Sequence, residues 1–319
     1  MNMSALHMFV PQLRRLAFGL GFTDRAARQR TGVRMLMHHG IGGVYRANAF
    51  EEQLTWIKTR HTILPMGEAV NRLREGKALP DFAIVLTFDD GLRNNLTEAY
   101  PLLLKHQIPA TFFVCPGVID TGRWIWTHEM RERLKTLNKE QIGTLAAQAT
   151  GTPFPAADTV LDAFLCWMKK QPNVRRQQVV DKVRTATPGF VPTEEHHRDH
   201  DLMSWAELQS LDKRLITIGS HTMSHPILPS LSDAEIETEL KDSKAALLEH
   251  DLIREPSLLC YPDGAHDERV TASARRHYAA ACSTKKGIIT SGVPLFALPR
   301  IGANSRIEDV SWRLWRPGA

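Results

Sequence analysis

Residues Ala83 to Phe88 form a nearly continuous apolar run that stops at Asp89-Asp90-Gly91. A run of this kind suits a strand covered on both faces, as in the interior of a parallel sheet. Next comes a helical stretch with Leu96, Tyr100, Leu103 and Leu104 on one side, in which Pro101 marks a late start or a kink. A second strand, Ala110 to Val114, follows. Strand, helix and strand within about thirty residues make a right-handed parallel βαβ unit. The loop of that unit carries two adjacent acids.

The rest of the chain repeats the pattern without an internal sequence repeat. Arg34 to Met37, Leu215 to Gly219, Ser257 to Tyr261 and Ala279 to Ser283 read as strands. Phe50 to Lys58, Gly67 to Glu75 and Glu268 to Tyr278 read as helices. Ser232, with Glu235 three residues on, reads as an N-cap opening a helix that buries Ile236, Leu240 and Leu247. Between about Trp124 and His200 strand signals fade, and Val160, Leu161, Phe164, Leu165 and Met168 set a helical period. These units predict an α/β fold, a (β/α) barrel, closed or incomplete, over residues 32–319. It carries a helical insertion at about 124–200 and follows an N-terminal extension, 1–31.

Composition narrows the function classes. With 43% hydrophobic and 24% charged residues in 319, the chain is neither disordered nor fibrous and can bury a large core. No apolar run approaches the roughly 18 to 20 residues that cross a bilayer. The short patch Leu16 to Phe22, between Arg14-Arg15 and the basic stretch Arg25 to Arg30, suits a terminal helix or an amphipathic one lying on a membrane. Without a convincing cleavage site, the expectation is a cytoplasmic protein with peripheral membrane contact at most. The net charge of +5 is spread over short basic pairs with no interleaved aromatics, so nucleic acid is not an expected partner. Cys115, Cys166, Cys260 and Cys282 lie far apart, which argues against a zinc ribbon or a disulfide scaffold and for a reducing compartment.

Polar residues at the carboxyl ends of barrel strands are where such folds do chemistry. Three stretches qualify: Thr87 to Gly91, Gly219 to His225, and Tyr261 to Gly264. His221 and His225 are four apart, so one helical turn would let both imidazoles bind a single metal ion. A carboxylate from Asp89 or Asp90 would complete a hydrolytic two-His, one-acid set. Taken singly, each motif has a plain alternative: two polar loop histidines, or an Asp-Gly turn.

Together these residues resemble the polysaccharide deacetylases with a NodB-like homology domain, also called carbohydrate esterase family four, over roughly Met35 to Ile301. Thr87-Phe88-Asp89-Asp90-Gly91 looks like the family's first motif, and Ser220-His221-Thr222-Met223-Ser224-His225-Pro226 its second. Ile108 to Val114, between them, is also characteristic. The resemblance implies a distorted (β/α) barrel in which Asp90, His221 and His225 bind one divalent metal ion, commonly zinc, and Asp89 is the general base. A carboxylate bound to the cation is a poor base, so its free neighbour takes the water's proton. A backbone N–H near Tyr261 is the implied second donor to the oxyanion.

Two departures stand out. Many family members carry an Arg two residues before the Pro of the third motif, paired with the base, whereas here that position is Cys260. The C-terminal Leu-x-His that supplies the general acid is missing, since no His follows His277. His39 is the candidate acid, because relatives acting on poly-N-acetylglucosamine have a Tyr-His pair that His38-His39 resembles. Arg300 is the candidate partner of Asp89, with a structural ion pair as its plainer role. Trp124, Trp126 and Trp205 are candidates to stack on sugar rings, with Trp126 the preferred substrate contact and Trp205 equally a core residue. His196, His197 and His200 lie among acids and read as a mobile charged loop rather than a metal site. Cys260 reads as packing rather than nucleophile.

The implied activity is metal-dependent removal of N-acetyl groups from an amino-sugar polysaccharide or glycan precursor. A lipid-linked or nucleotide-linked sugar fits equally. The alternatives are Mg²⁺-dependent phosphoryl transfer, which lacks a phosphate-cradling loop here, and a metal-free carbohydrate-binding relative.

Overall fold

The computed structural model describes residues 3–154 and 157–317. Seven short strands form one parallel sheet: β1 Arg34–His38, β2 Ile84–Phe88, β3 Ala110–Val114, β4 Ile216–Ser220, β5 Leu258–Cys260, β6 Ala280–Cys282 and β7 Ile301–Gly302. Their order is β6-β5-β4-β3-β2-β1-β7, so only β7 leaves the sequential march and pairs beside β1. The sheet curls into an incomplete (β/α) barrel. Its open side is spanned by the extended run before β7. Leu298 bridges Cys282 at the end of β6, and Ile301 then joins Leu36 of β1.

The two-residue period of a strand sorts side chains between two cores. Ile84, Leu86 and Phe88 of β2 pack outward against helices together with Leu36, Phe112 and Leu259. Val85 points into the barrel with Met35, Phe113, Leu258, Cys260 and Cys282. Continuing the inward series from Val85 gives Thr87 and then Asp89, at the carboxyl rim. On β4, Ser220 faces outward and meets Ser243 of the helix Asp233–Glu249 at 2.9 Å, so His221 turns inward. Gly219 pairs with Phe113 across β3 and β4, and a Cβ there would lie 2.6 Å from the Phe113 ring.

The predicted strands agree with the structure to within a residue or so at each end, except β7, which no periodicity announced. Pro101 falls in the first turn of the helix Tyr100–His106, where its missing N–H costs nothing, after a single π-turn over Asn95–Ala99. Ser232 and Glu235 make the expected capping box. The helices Trp126–Lys135, Lys139–Thr150, Val160–Lys169, Asn173–Ala186 and Glu194–His200 make up the excursion. The first four share an apolar cluster that includes Met130, Leu134, Phe164, Met168 and Val183. One expectation is corrected here: the histidine-rich stretch is no charged loop. Thr193 accepts from the His196 N–H while His196 Nδ1 accepts from the Thr193 N–H, which closes a capping box and starts the helix Glu194–His200.

At the amino end, the helices Met3–Gly19 and Phe22–Arg28 pack on the C-terminal helix Ile307–Trp315. The buried Arg34 guanidinium holds this corner, donating to the carbonyls of Gly32, Ala27 and Arg30 at 2.7, 3.0 and 2.6 Å. Leu13, Leu16 and Leu20 stay exposed on the first of these helices and its end. Among the described residues no helix is long and apolar enough to cross a membrane.

Replacing Gly219 with Ala should destabilise the fold by about 1–3 kcal/mol, because the ring and the neighbouring β5 backbone must both yield. Urea unfolding of the variant beside the wild type measures this.

Candidate functional site

Asp89 and Asp90 leave β2 at the carboxyl rim, 3% and 4% exposed. Asp90 and Gly91 both take left-handed backbone angles, φ 74° and 67°, which turn the chain sharply over the rim. Holding a non-glycine residue there costs of order 1–3 kcal/mol, and the result is that the two carboxylates diverge.

Asp89 turns to Arg300. The guanidinium Nη1 and Nη2 donate to Oδ1 and Oδ2 at 2.7 and 2.8 Å, a bidentate pair shut off from solvent. Arg300 spends its remaining donors on the Ser283 carbonyl at 3.0 Å, Thr87 Oγ1 at 3.3 Å and Cys260 Sγ at 3.0 Å. Burial raises the Asp89 carboxyl, but the adjacent guanidinium outweighs it and holds the group below its usual range. The sequence places Arg300 far from the position where relatives keep an arginine, yet the seam of the barrel brings it against Cys260. Burial pushes the Cys260 thiol well up, and its sulfur serves as a hydrogen-bond acceptor inside the barrel.

Asp90 turns the other way. Its Oδ1 lies 3.5 Å from His221 Nε2 and 3.5 Å from His225 Nε2, and the three residues are buried. His221 Nδ1–H donates to the Cys260 carbonyl at 2.7 Å, which leaves the lone pair of Nε2 facing Asp90. Burial, followed by the neighbouring His221, pushes His225 down to about 3, so its ring is neutral at ordinary pH. The structure brings together the two histidines that the spacing argument picked, but not through a helical turn. His221 to Pro226 is not helical: Thr222 and His225 are left-handed, φ 67° and 58°, and the loop folds back so the rings meet with centroids 4.8 Å apart.

The donor set fits a metal ion. Tetrahedral ligands about 2.0–2.1 Å from zinc lie about 3.3–3.5 Å from one another, which matches both nitrogen-to-oxygen separations. Two imidazoles and one carboxylate suit zinc, and His225 Nδ1 has no protein partner that would draw its ring elsewhere.

The remaining predicted residues are placed as follows. His39 sits at the end of β1, exposed, next to the His38 whose carbonyl accepts the Asp89 N–H at 2.9 Å. It lines a cleft of about 400 Å³ with Gly40, Tyr45, Asn94, His128 and His200. His38 is a core residue, stacked on Phe88 and hydrogen-bonded to Gln53 at 3.2 Å. Tyr261 is a correction: its N–H is already given to the Cys282 carbonyl at 3.1 Å, because β5 and β6 pair there, and its ring stacks on His266. Pro262 has no N–H, so the first uncommitted amide past the strand is that of Asp263. Trp126 is also corrected as an open sugar platform. Its indole N–H donates to the His225 carbonyl at 2.9 Å, and Arg176 lies 5.1 Å over the ring. Trp124 is buried against Phe190, His196 and His200, and Trp205 stacks on His250 at 3.8 Å. A larger cavity, about 630 Å³, lies near the start of β4 among Glu68, Arg72, Lys213 and Ile216 and touches none of these residues.

Sequence reasoning missed His128. Its Nε2 lies 3.1 Å from Asp90 Oδ2, and its Nδ1 lies 3.0 Å from His200 Nδ1. The signal was weak: one histidine in a helical insertion, its partners scattered through the chain.

A buried carboxylate charge-paired with arginine, set beside a three-donor cluster on a barrel rim, suits a hydrolase, and comparison with known proteins agrees. Residues 76–147 and 175–281, more than half of the chain, match the family model for polysaccharide deacetylase, and the chain belongs to that family. It is 34% identical over 77 residues to the poly-β-1,6-N-acetyl-D-glucosamine N-deacetylase of Escherichia coli K12, covering 24% of this chain and 12% of that protein. The protein of the same name from Staphylococcus aureus MSSA476 is 31% identical over 93 residues, covering 27% and 32%. The matched stretch thus spans a third or less of either relative. Among solved structures, IcaB from Ammonifex degensii superposes with TM-score 0.59 at 17% identity, covering 89% of this chain and 98% of that one. The Streptococcus pyogenes deacetylase PplD in complex with acetate gives 0.58 at 18% identity, covering 88% and 96%. These two share the fold.

Arg300→Met should cost about 3–5 kcal/mol by leaving the Asp89 charge buried alone, and Asp89→Asn/Arg300→Met together should cost less than the two single changes summed. Urea denaturation of the four proteins measures the coupling. Because Asp89 has a lowered folded pKa, its contribution is complete above the unfolded value of about 3.9 and is lost as pH falls through the folded one. The double variant should therefore lose less stability than the wild type on acidification below about pH 4.

Proposed function

We propose that the chain removes N-acetyl groups from an amino-sugar polysaccharide or glycan precursor, using one divalent metal ion, zinc, held by Asp90, His221 and His225. The observation that carries this reading is the division of labour between adjacent aspartates: Asp90 faces two imidazoles while Asp89 is kept apart and ionised by Arg300. The similarity to proteins named poly-β-1,6-N-acetyl-D-glucosamine N-deacetylases supports poly-N-acetylglucosamine as the substrate class. The missing arginine of the third motif no longer argues for a merely carbohydrate-binding relative, since Arg300 supplies that charge from the extended run before β7.

When bound, the cation would polarise the acetamide carbonyl and acidify a water molecule. Asp89 accepts the proton of the attacking water, a task its fixed, ionised carboxylate suits. Arg300 keeps both Asp89 oxygens in place and holds the negative charge between catalytic steps. The Asp263 N–H is the backbone donor closest in sequence to the rim and free to meet the developing oxyanion. His39, on the cleft and near enough for its charge to act on both aspartates, gives a proton to the departing amine.

Acetate release from de-N-acetylation of defined N-acetylglucosamine oligomers tests the reading. Activity should vanish with chelator and return with zinc. His221→Ala should release the metal. Asp89→Asn should keep about one ion per chain yet lose turnover by roughly 10²–10⁴-fold. His39→Ala should lower turnover with the metal content unchanged, and full activity in that variant would remove His39 from the reaction.

A further inference from the structure

We infer that the helix Trp126–Lys135, the first of the insertion, is a working part of the metal centre, with His128 as the positioning residue that fixes the Asp90 carboxylate. This rests on the metal-dependent reading above.

A carboxylate that offers one oxygen to an ion can rotate and offer the other. In Asp90 the two oxygens have separate duties: Oδ1 faces the two imidazoles at 3.5 Å each, and Oδ2 takes the His128 Nε2–H at 3.1 Å. His128 thereby sets which oxygen and which lone pair the ion meets. His128 is itself held. Its Nδ1 lies 3.0 Å from His200 Nδ1, and His200 Nε2 lies 3.3 Å from Glu132 Oε1. Glu132 stands one helical turn beyond His128 on the same helix, 6% exposed, and its other oxygen lies 3.4 Å from His196 Nε2. Lys135 Nζ meets both Glu132 oxygens at 2.7 and 2.9 Å. The result is a polar brace that leaves the helix at His128, passes through His200 at the end of the helix Glu194–His200, and returns at Glu132.

The helix grips a second donor by a different group. Trp126 N–H donates to the His225 carbonyl at 2.9 Å, so two of the three candidate ligands are tethered to one helix. Its other face is ordinary packing, with Met130 and Leu134 in the insertion's apolar cluster. Spacing of three to four residues accounts for the split: His128 and Glu132 share one side, Met130 and Leu134 the other.

The test is zinc affinity of the full-length chain by competition with a chromophoric chelator, together with the visible absorption of the Co²⁺-substituted protein. His128→Ala should weaken zinc about 10–100-fold and change the Co²⁺ bands. His128→Gln, which keeps an N–H near the same place, should recover most of the affinity. His200→Ala should show a smaller loss in the same direction. The metal-free unfolding midpoint separates these effects from loss of fold. Zinc affinity within two-fold of wild type in a folded His128→Ala protein overturns the inference, provided His221→Ala releases the metal. If His221→Ala binds zinc as tightly as wild type, the metal reading itself fails. Should His128→Ala not fold, His200→Ala decides, and unchanged affinity there overturns the inference.

Discussion

A carboxylate sealed inside a barrel needs a counter-charge, and the bidentate pair of Asp89 with Arg300 supplies it. Much of the site follows from this one contact. It keeps Asp89 ionised against burial, fixes its orientation, and fills space beside Cys260 that an arginine from β5 would otherwise occupy. It also fastens the seam, because Arg300 lies between Leu298, bridged to β6, and Ile301, paired with β1. Closure of the sheet and the holding of Asp89 as a carboxylate therefore rest on the same residue.

The second constraint is the alternation of side chains along short parallel strands. It delivers Asp89 and His221 to the interior of one rim, and the left-handed turns at Asp90, Thr222 and His225 then bend the flanking backbone until three donors face a common point. Neither sheet nor loop would suffice alone. The insertion adds the third element, a helix whose polar side meets Asp90 and His225 while its apolar side stays within its own cluster.

Much of this was legible because chemistry and periodicity coincide at strand ends. The apolar run ending at Asp89-Asp90-Gly91 announced both the parallel sheet and the rim. Other parts were not. β7 is two residues long, below any period, so the closure it makes with β1 could not be read. The histidine-rich stretch looked solvated because its charges are local, whereas the burial of Trp124 against it is tertiary. Tyr261 was assigned by its place after β5, but whether its amide is free depends on how β6 pairs. Trp126 and His128 touch His225 and Asp90 from nearly one hundred and about forty residues away, and no spacing rule spans such distances.

The arginine that neutralises Asp89 arrives on almost the last extended segment of the polypeptide, while the acid it serves belongs to the second strand. During synthesis from the amino end, the first six strands emerge before that arginine does. A fragment cut short of Arg300 would carry that acid with no counter-charge and be reluctant to collapse around it.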